Sequence, residues 1–334
     1  MGVLGRGILQ IKAHGTMLKC MVLLLLYVHA VSAFGSYTPV HDFIQMNYKS
    51  NIWNTKVPSN SLVNKNNPYY NFSYTLNPSH FLCNFDSSAD PSGVLVSVLS
   101  TPTNFKRRDF IRKMIGQHMR SINFRVAFFI GTPVKNSVQF MTAIEHENNV
   151  YNDIIQSTFI DTYYNLATKW TSIVKWASMF CGNMSYLVHI DDDVMINTFA
   201  VRRFITSIAQ QTKRDIYCHM YFNALVIRDP KSKFFVAYNE YTSKTFPTYC
   251  WGGFFILSKD AVKKLWIASY KVPPFKIGDV YITGLLPALS ALSFFKVNDK
   301  ISPSPVNPSF FKNNMKNLAA HNSQSNDLLQ FISQ

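Results

Sequence analysis

Little of this sequence is charged, and less of it is acidic. Asp, Glu, Lys and Arg make up only 15% of the 334 residues, against about 25% in an average soluble domain. Eighteen acids face 33 bases, a formal net charge of +15. Five cysteines and 13 glycines are too few for a disulfide-knot scaffold or collagen. No apolar heptad is sustained, which excludes a coiled coil. No Cys-x-x-Cys pair occurs, which argues against structural zinc. What is present is 47% hydrophobic residues, enough for a sizeable core and too many for a wholly disordered chain. The length suits one large domain or two small ones. A basic balance attracts anions, whether nucleic acid, a membrane surface or phosphorylated small molecules. Composition does not choose among them.

Arg6, Lys12 and Lys19 precede the apolar run Cys20 to Phe34. A basic flank before a short apolar stretch reads as a signal anchor or a cleaved secretory signal. The run is short for a span of about 20 residues, and Val31-Ser32-Ala33 would suit signal peptidase. The expected organisation is therefore a cytosolic tail over 1–19 and a type II signal anchor (or a cleaved signal, with secretion) over 20–34. A lumenal stem follows over 35–91, then a domain over 92–300 and a polar tail over 301–334. Asn and Pro are frequent in the stem and tail, and apolar periodicity is poor there. Cys83, Cys181, Cys218 and Cys250 lie beyond the anchor, an even count that suggests one or two disulfides of undetermined connectivity. Asn71-Phe72-Ser73 and Asn183-Met184-Ser185 are glycosylation sequons.

Between 92 and 300, buried strands alternate with amphipathic helices. Val94–Leu99 and Phe124–Ile130 are apolar runs of strand length, as is Ser185–Ile190. Trp170, Ile173, Val174, Ala177 and Phe180 recur on one face of a helix. Val201, Phe204, Ile205 and Ile208 mark another, and Ser258 can cap a third, with Asp260 in its first turn. This alternation predicts an α/β domain with a mostly parallel central sheet flanked by helices. Ligands in such sheets bind beyond the carboxyl ends of the strands.

Asp191-Asp192-Asp193 stands where one of these strands runs out. Three adjacent carboxylates repel one another and call for a neutralising partner. On extended chain, Asp191 and Asp193 share a side, a pair suited to a hard divalent cation such as Mn²⁺ or Mg²⁺. A solvated loop is the alternative. A phosphatase with an Asp-x-Asp nucleophile would need further Lys and Asp motifs that are missing.

Longer stretches resemble a known family. Arg107-Arg108-Asp109-Phe110-Ile111-Arg112 is similar to the RRxxIR motif of family 31 glycosyltransferases, the β-1,3-galactosyl- and N-acetylglucosaminyltransferases. Phe128-Phe129-Ile130-Gly131 resembles their strand ending in Gly. Glu147, Tyr151-Asn152-Asp153-Ile154-Ile155 and Phe159 to Leu166 with Lys169 are similar to their E…YgDIi…dFxDxYxNLtxK. Thr248 to Ser258 resembles YPxYcxGgxYvlS, and Asp279-Val280-Tyr281-Ile282-Thr283-Gly284 the end of EDVyvtG. The motifs come in family order over roughly 200 residues.

That resemblance implies a GT-A fold, a Golgi type II anchor and transfer from a UDP-sugar. The product would be an inverted β-1,3 linkage to a glycan acceptor on glycoprotein or glycolipid, with Mn²⁺ or Mg²⁺ as cofactor. It implies Asp279 as the catalytic base and Asp191 and Asp193 at the metal. Arg107, Arg112, Asp161, Lys169, Asp191, Asp192, Gly252 and Gly253 would bind the donor, though Asp161 and Lys169 equally suit a structural ion pair. Trp251 would stack on a sugar or fill core, and Cys181 and Cys250 would be disulfide members. Gly278 stands where the family is usually acidic and His189 where Lys is common. A C-terminal His that completes the metal site in relatives has no clear match, His321 being far out in the polar tail. These departures keep a catalytically degenerate, glycan-binding protein as the alternative. The lumenal signal and the absence of any reading motif set nucleic acid aside.

Overall fold

A computed structural model of the chain describes residues 69–85, 93–119, 123–134, 138–210, 215–306, 310–311 and 316–321. The expected cytosolic tail, the anchor and most of the stem lie outside the described residues. Among the described residues, no helix is long and apolar enough to cross a membrane.

The core of the fold is an eight-stranded sheet in the order β1-β4-β3-β2-β5-β8-β7-β9. The strands are β1 (Tyr74–Leu76), β2 (Val94–Leu99), β3 (Phe124–Thr132), β4 (Ile154–Ile160), β5 (Tyr186–Asp191), β7 (Ile216–Tyr221), β8 (Tyr249–Ser258) and β9 (Phe294–Lys296). The four strands β4-β3-β2-β5 pair in parallel, and β8 runs antiparallel to β5. This is the mostly parallel, helix-flanked α/β sheet that was expected.

Period-two alternation decides which side chains meet which helices. Val94, Val96 and Val98 share one buried face with Phe124, Phe128, Val188, Ile190 and Phe254. Helices α2 (Phe105–Met119), α3 (Val138–Tyr151) and α5 (Thr198–Ala209) cover that face through Ile111, Ile115, Ile144, Val201 and Ile205. The opposite face carries Phe129, His189 and Phe255, which meet α4 (Leu166–Phe180) through Trp170 and Trp176. Helix α6 (Lys259–Ala268) packs beside α4. Its cap is as expected: the Ser258 side chain accepts from the Ala261 N–H at 3.1 Å. Helix α3 stops at Asn152, whose φ of 53° suits Asn far better than a branched residue.

Winding order creates the crevice. The chain steps outward from β2 to β3 and β4, then returns through α4 to place β5 on the other side of β2. Loops leaving β2 and β5 therefore diverge, and a cleft opens between them at the carboxyl edge.

Two expected boundaries move. Residues 69–85, read as stem, pack onto the domain: they include a short helix, α1 (Ser79–Leu82), and Tyr70, Phe72, Leu82 and Phe85 are buried. Strand β1 extends the sheet at β4, and Cys83 is disulfide-bonded to Cys181. The alternation Tyr70, Phe72, Tyr74, Leu76 was the overlooked strand signal. Part of the tail also belongs to the fold. Strands β10 (Ile301–Ser302) and β11 (Ala319–His321) join β6 (Val194–Ile196) in a small sheet, with Leu318, Ala319 and Ala320 buried. Cys218 and Cys250 join β7 to β8.

Candidate functional site

Register fixes the site. Leu99 pairs with Asp191 across β2 and β5, so the triplet emerges at the switch point. Antiparallel β8 brings its amino end to the same edge, with Ile190 opposite Phe254 and Gly252 just beyond. A short helix, α7 (Gly278–Val280), then lays Asp279 against Gly252.

Asp279 is held at several points. Gly252 donates its N–H to Oδ2 at 3.1 Å. The Thr283 hydroxyl donates to the Asp279 carbonyl at 2.6 Å and accepts the Cys250 N–H at 3.0 Å. Thr283 belongs to a π-helical turn, Tyr281–Leu285, an irregularity that often accompanies functional positions. Burial pushes the Asp279 carboxyl up to about 6, against the opposing Gly252 hydrogen bond. Some of its surface stays open to the cleft. Tyr163, Tyr221 and Tyr249 stand close enough for its charge to raise their own values, after burial.

The three triplet carboxylates have different fates. Asp192 turns inward and is saturated: Ser100 Oγ donates at 2.8 Å, Asn104 Nδ2 at 2.7 Å and Arg107 at 2.7 Å. Asp191 faces the cleft. Burial first, then the charges of Asp279, Asp193 and Asp192, push it well above the ordinary carboxylate range. Asp193 lies 3.5 Å from Arg107 and 3.8 Å from His321 Nε2. The tail histidine is thus brought to the triplet by pairing of β11 with β6, His321 opposite Val194.

Among the described residues, no three His, Cys, Asp or Glu side chains cage a cation by themselves. The donor set nonetheless fits a divalent ion completed by substrate. Asp193 and His321 offer a carboxylate oxygen and an imidazole nitrogen side by side, and Asp191 faces three carboxylates against the single cation of Lys169. Mg²⁺-type sites commonly use one or two carboxylates, with phosphate oxygens and water filling the rest.

Comparison with known proteins agrees with the motif order. The family model described as galactosyltransferase matches residues 106–294, more than half of the chain. The chain belongs to the galactosyltransferase family. It is accordingly a glycosyltransferase. A mouse lactosylceramide 1,3-N-acetyl-beta-D-glucosaminyltransferase is 28% identical over 296 residues, covering 84% of this chain and 77% of that one. A mouse acetylgalactosaminyl-O-glycosyl-glycoprotein beta-1,3-N-acetylglucosaminyltransferase is 32% identical over 58% of this chain and 51% of its own. Human beta-1,3-galactosyltransferase 9 is 30% identical over 59% and 55%. Solved structures resemble it loosely, among them the WbbM bifunctional glycosyltransferase (TM-score 0.43, 10% identity, covering 73% of this chain and 50% of that one).

In this galactosyltransferase-family chain the Arg-rich motif serves mainly as framework. Arg108 is fully buried; it donates to both Glu147 oxygens, at 2.9 and 2.6 Å, and to the Thr101 and Pro102 carbonyls. Arg112, expected at the nucleotide, forks onto Asp153 at 2.7 and 2.8 Å, reaches Glu147 at 2.8 Å and stacks on Tyr151. Its donors are spent away from the triplet. Arg107 alone of the three reaches the site, where it offsets Asp192 and Asp193.

Asp161 and Lys169 also resolve toward framework. Lys169 is buried and donates to both Asp161 oxygens at 2.8 Å and to the Ser100 carbonyl, while Asp161 accepts the Gly131 N–H at 2.8 Å. The pair ties the ends of β2, β3 and β4 together beneath the cleft and leaves no ammonium hydrogen for a donor. Gly252 and Gly253 were expected to admit sugars. Side chains on their own β8 and α7 occupy that room: a methyl on Gly252 would meet Asp279 Oδ2 at 2.7 Å, and one on Gly253 the Trp251 ring at 2.7 Å. Trp251 is half-buried and meets His321 edge-on. His189 is buried between Trp170 and Phe255, and that burial holds its imidazole well below its usual value. A neutral ring can stand there beside Asp191, 3.4 Å away.

Sequence reading missed Arg108, Glu147 and His321 as contributors. The first two sat inside quoted motifs as a charge pair 39 residues apart. His321 had a weaker signal, the apolar Leu318-Ala319-Ala320 before it.

Proposed function

We propose that the chain transfers a hexose, galactose or N-acetylglucosamine, from a UDP-sugar to a glycan hydroxyl in β-1,3 linkage with inversion. The observation that carries this is the Asp279 carboxylate, held by Gly252 at the cleft edge that also carries the triplet. A carboxyl raised to about 6 is ionised at neutral pH yet more basic than an ordinary aspartate, as a general base requires. Asp279 takes the proton of the acceptor hydroxyl as its oxygen bonds to the anomeric carbon. The bond from that carbon to the UDP oxygen breaks, and its electron pair leaves with the diphosphate.

Asp193 and His321 would hold a divalent cation, Mn²⁺ or Mg²⁺, with Asp191 beside it. Such a cation supplies Lewis-acid neutralisation of the diphosphate. Arg107 steadies the triplet between turnovers. The aromatic rings of Tyr163, Tyr221 and Tyr249 around Asp279 suit the apolar faces of a sugar. The names of the relatives, which specify 1,3-linkages, support the linkage and the hexose class.

The setting we propose is the Golgi lumen. Residues 20–34 would anchor the chain with type II orientation, and acceptors would be borne by glycoproteins or glycolipids. The two disulfides support an oxidising compartment.

A donor screen read by UDP release tests the reading, using UDP-galactose and UDP-N-acetylglucosamine with a panel of glycan acceptors, with Mn²⁺ or chelator. Transfer should require an acceptor and be abolished in Asp279→Asn and Asp193→Ala. Wild-type transfer by both variants would refute the site, and UDP binding without turnover would favour a degenerate binding protein.

A further inference from the structure

The chain leaving β4 passes the carboxyl edge of the sheet, where the cleft opens, before it enters α4. There Tyr163–Asn165 forms a single 3₁₀ turn. Asn165 pins it: the side chain donates to the Ile160 carbonyl at 2.8 Å and the N–H to the Thr162 carbonyl at 3.1 Å. Leu166 and Trp170, at the start of α4, press on the backbone of α7. A Cβ added at Gly278 would meet Leu166 Cγ at 2.8 Å and Trp170 Cδ1 at 3.1 Å. The turn is therefore fixed relative to Asp279, the next residue of α7.

Two rings stand on this turn. Tyr163 is half exposed and stands within reach of the Asp279 charge. The Tyr164 ring follows, its centroid 6.4 Å from that of Tyr163 and its plane turned by 79°. At 84% it is the most exposed large apolar side chain among the described residues. From β7 and β8, Tyr221 and Tyr249 approach the same carboxylate, their rings paired at 5.3 Å. The cleft thus has two chemistries. Carboxylates, Arg107 and His321 line the triplet end, and aromatic rings line the end that holds the base.

Single apolar side chains on a surface are ordinary. Tyr164 differs because it continues a row of rings that leads away from Asp279, on backbone that is held from both sides. With most of its surface in water it adds little to the stability of the fold. A pyranose carries its hydroxyls at the rim and its C–H bonds on its faces, so an aromatic face is its natural partner. A tyrosine has only two side-chain torsions to fix on contact. We propose that Tyr164 is the platform for the second sugar of the acceptor, while Tyr163, Tyr221 and Tyr249 enclose the sugar whose hydroxyl faces Asp279. The acceptor class is then a glycan of at least two residues, and a lone sugar is a poor substrate. The inference rests on the transferase reading given above. Phe222, next after Tyr221, lies outside the platform, because its ring faces Lys296 at 5.6 Å.

Covering one face of the Tyr164 ring, roughly 60 Å² of apolar surface, is worth about tenfold in affinity. The test compares methyl glycosides of galactose, N-acetylglucosamine and N-acetylgalactosamine with disaccharides ending in the same sugars, using the full chain and a UDP-hexose donor. For the sugar that accepts, kcat/KM should be about tenfold higher for the disaccharide than for the monosaccharide. Tyr164→Ala should bring that ratio close to one. Tyr164→Phe, which keeps the ring, should restore it, and Phe222→Ala should not alter it. Equal kcat/KM for both acceptor lengths in the wild type would overturn the proposal. So would a Tyr164→Ala variant that keeps the wild-type ratio. Failure to transfer to any acceptor would instead refute the transferase reading, and saturation-transfer NMR of the same disaccharides with UDP then decides the subsite. Saturation of the second sugar should be present in the wild type and in Tyr164→Phe and lost in Tyr164→Ala; its absence from the wild type would overturn the proposal.

Discussion

Replacing Gly252 by alanine inserts one methyl group between β8 and the carboxylate of Asp279. The new carbon would stand 2.5 Å from Cγ and 2.7 Å from Oδ2, where ordinary contact needs about 3.5 Å. Strand or carboxylate must therefore move by roughly 1 Å. Gly252 lies beyond the last β5 pair, Ile190 with Phe254, and within the register shift against β7; because its N–H also holds Asp279, a shift of either the strand or the side chain displaces the carboxylate. Among the described glycines none has a positive φ, so the alanine backbone itself is unstrained and the cost falls on the overlap. Overpacking of this kind costs about 1–3 kcal/mol of stability. The catalytic cost is larger in consequence: a base misplaced by about 1 Å loses on the order of 100-fold in rate, or about 2.7 kcal/mol of transition-state stabilisation. UDP release at saturating donor measures that loss. Calorimetry with UDP should show affinity within about twofold of wild type, because the methyl touches the base and not the triplet. A folded Gly252→Ala variant with wild-type kcat would refute the placement of Asp279 at the reacting centre. A loss confined to UDP affinity would do the same.

Other outcomes follow from the same geometry. The rate should fall about tenfold per pH unit below roughly 6 as Asp279 takes up its proton, with kcat/KM against pH as the check. The raised value also bears on stability. A carboxyl whose folded value exceeds its unfolded one stabilises the fold at low pH, and that contribution is lost as pH rises through about 6. Asp279→Asn should therefore be more stable than wild type at neutral pH, by at most about 3 kcal/mol, with the difference vanishing near pH 4. A lower melting point at pH 7 would contradict the burial. Arg108→Met should destabilise by about 1–3 kcal/mol, because Glu147 keeps Arg112 at 2.8 Å but loses both Arg108 hydrogen bonds in the interior. It should leave UDP affinity per folded molecule unchanged; denaturant melts and calorimetry together decide. His321→Ala should weaken Mn²⁺-dependent UDP binding by at least about tenfold, and an unchanged Mn²⁺ requirement would remove His321 from the metal site.

Local chemistry made most of the central domain legible in sequence. Val94–Leu99 reads as a strand because every residue suits a sheet buried on both faces, and the structure places β2 there without change. The helix carrying Trp170, Ile173, Val174 and Ala177 is marked by its apolar stripe, and Ser258 by its capping oxygen. The Asp triplet likewise advertised a site at a strand end. These features depend on residues within a turn or two of one another, so the order of residues already contains them.

What only the tertiary structure decided is which charges find partners. Arg107 and Arg112 look alike five residues apart, yet one reaches the triplet and the other Asp153 and Glu147. Lys169 and Asp161 could serve a ligand until the end of β2 delivers the Ser100 carbonyl to the same ammonium. Two segments read as stem and as polar tail, β1 and β11, become part of the fold because the edge of β4 and the strand after the triplet each leave backbone groups to be paired. His321 reaches Asp193 by that pairing alone, 128 residues away in sequence. Burial, too, depends on contacts distant in sequence, and burial raises Asp279 toward neutrality. The sequence determined that this is an α/β glycosyltransferase with carboxylates at a strand end. The packing determined which carboxylates are left facing the cleft, because hydrogen-bond saturation and desolvation are properties of neighbours brought together by the fold.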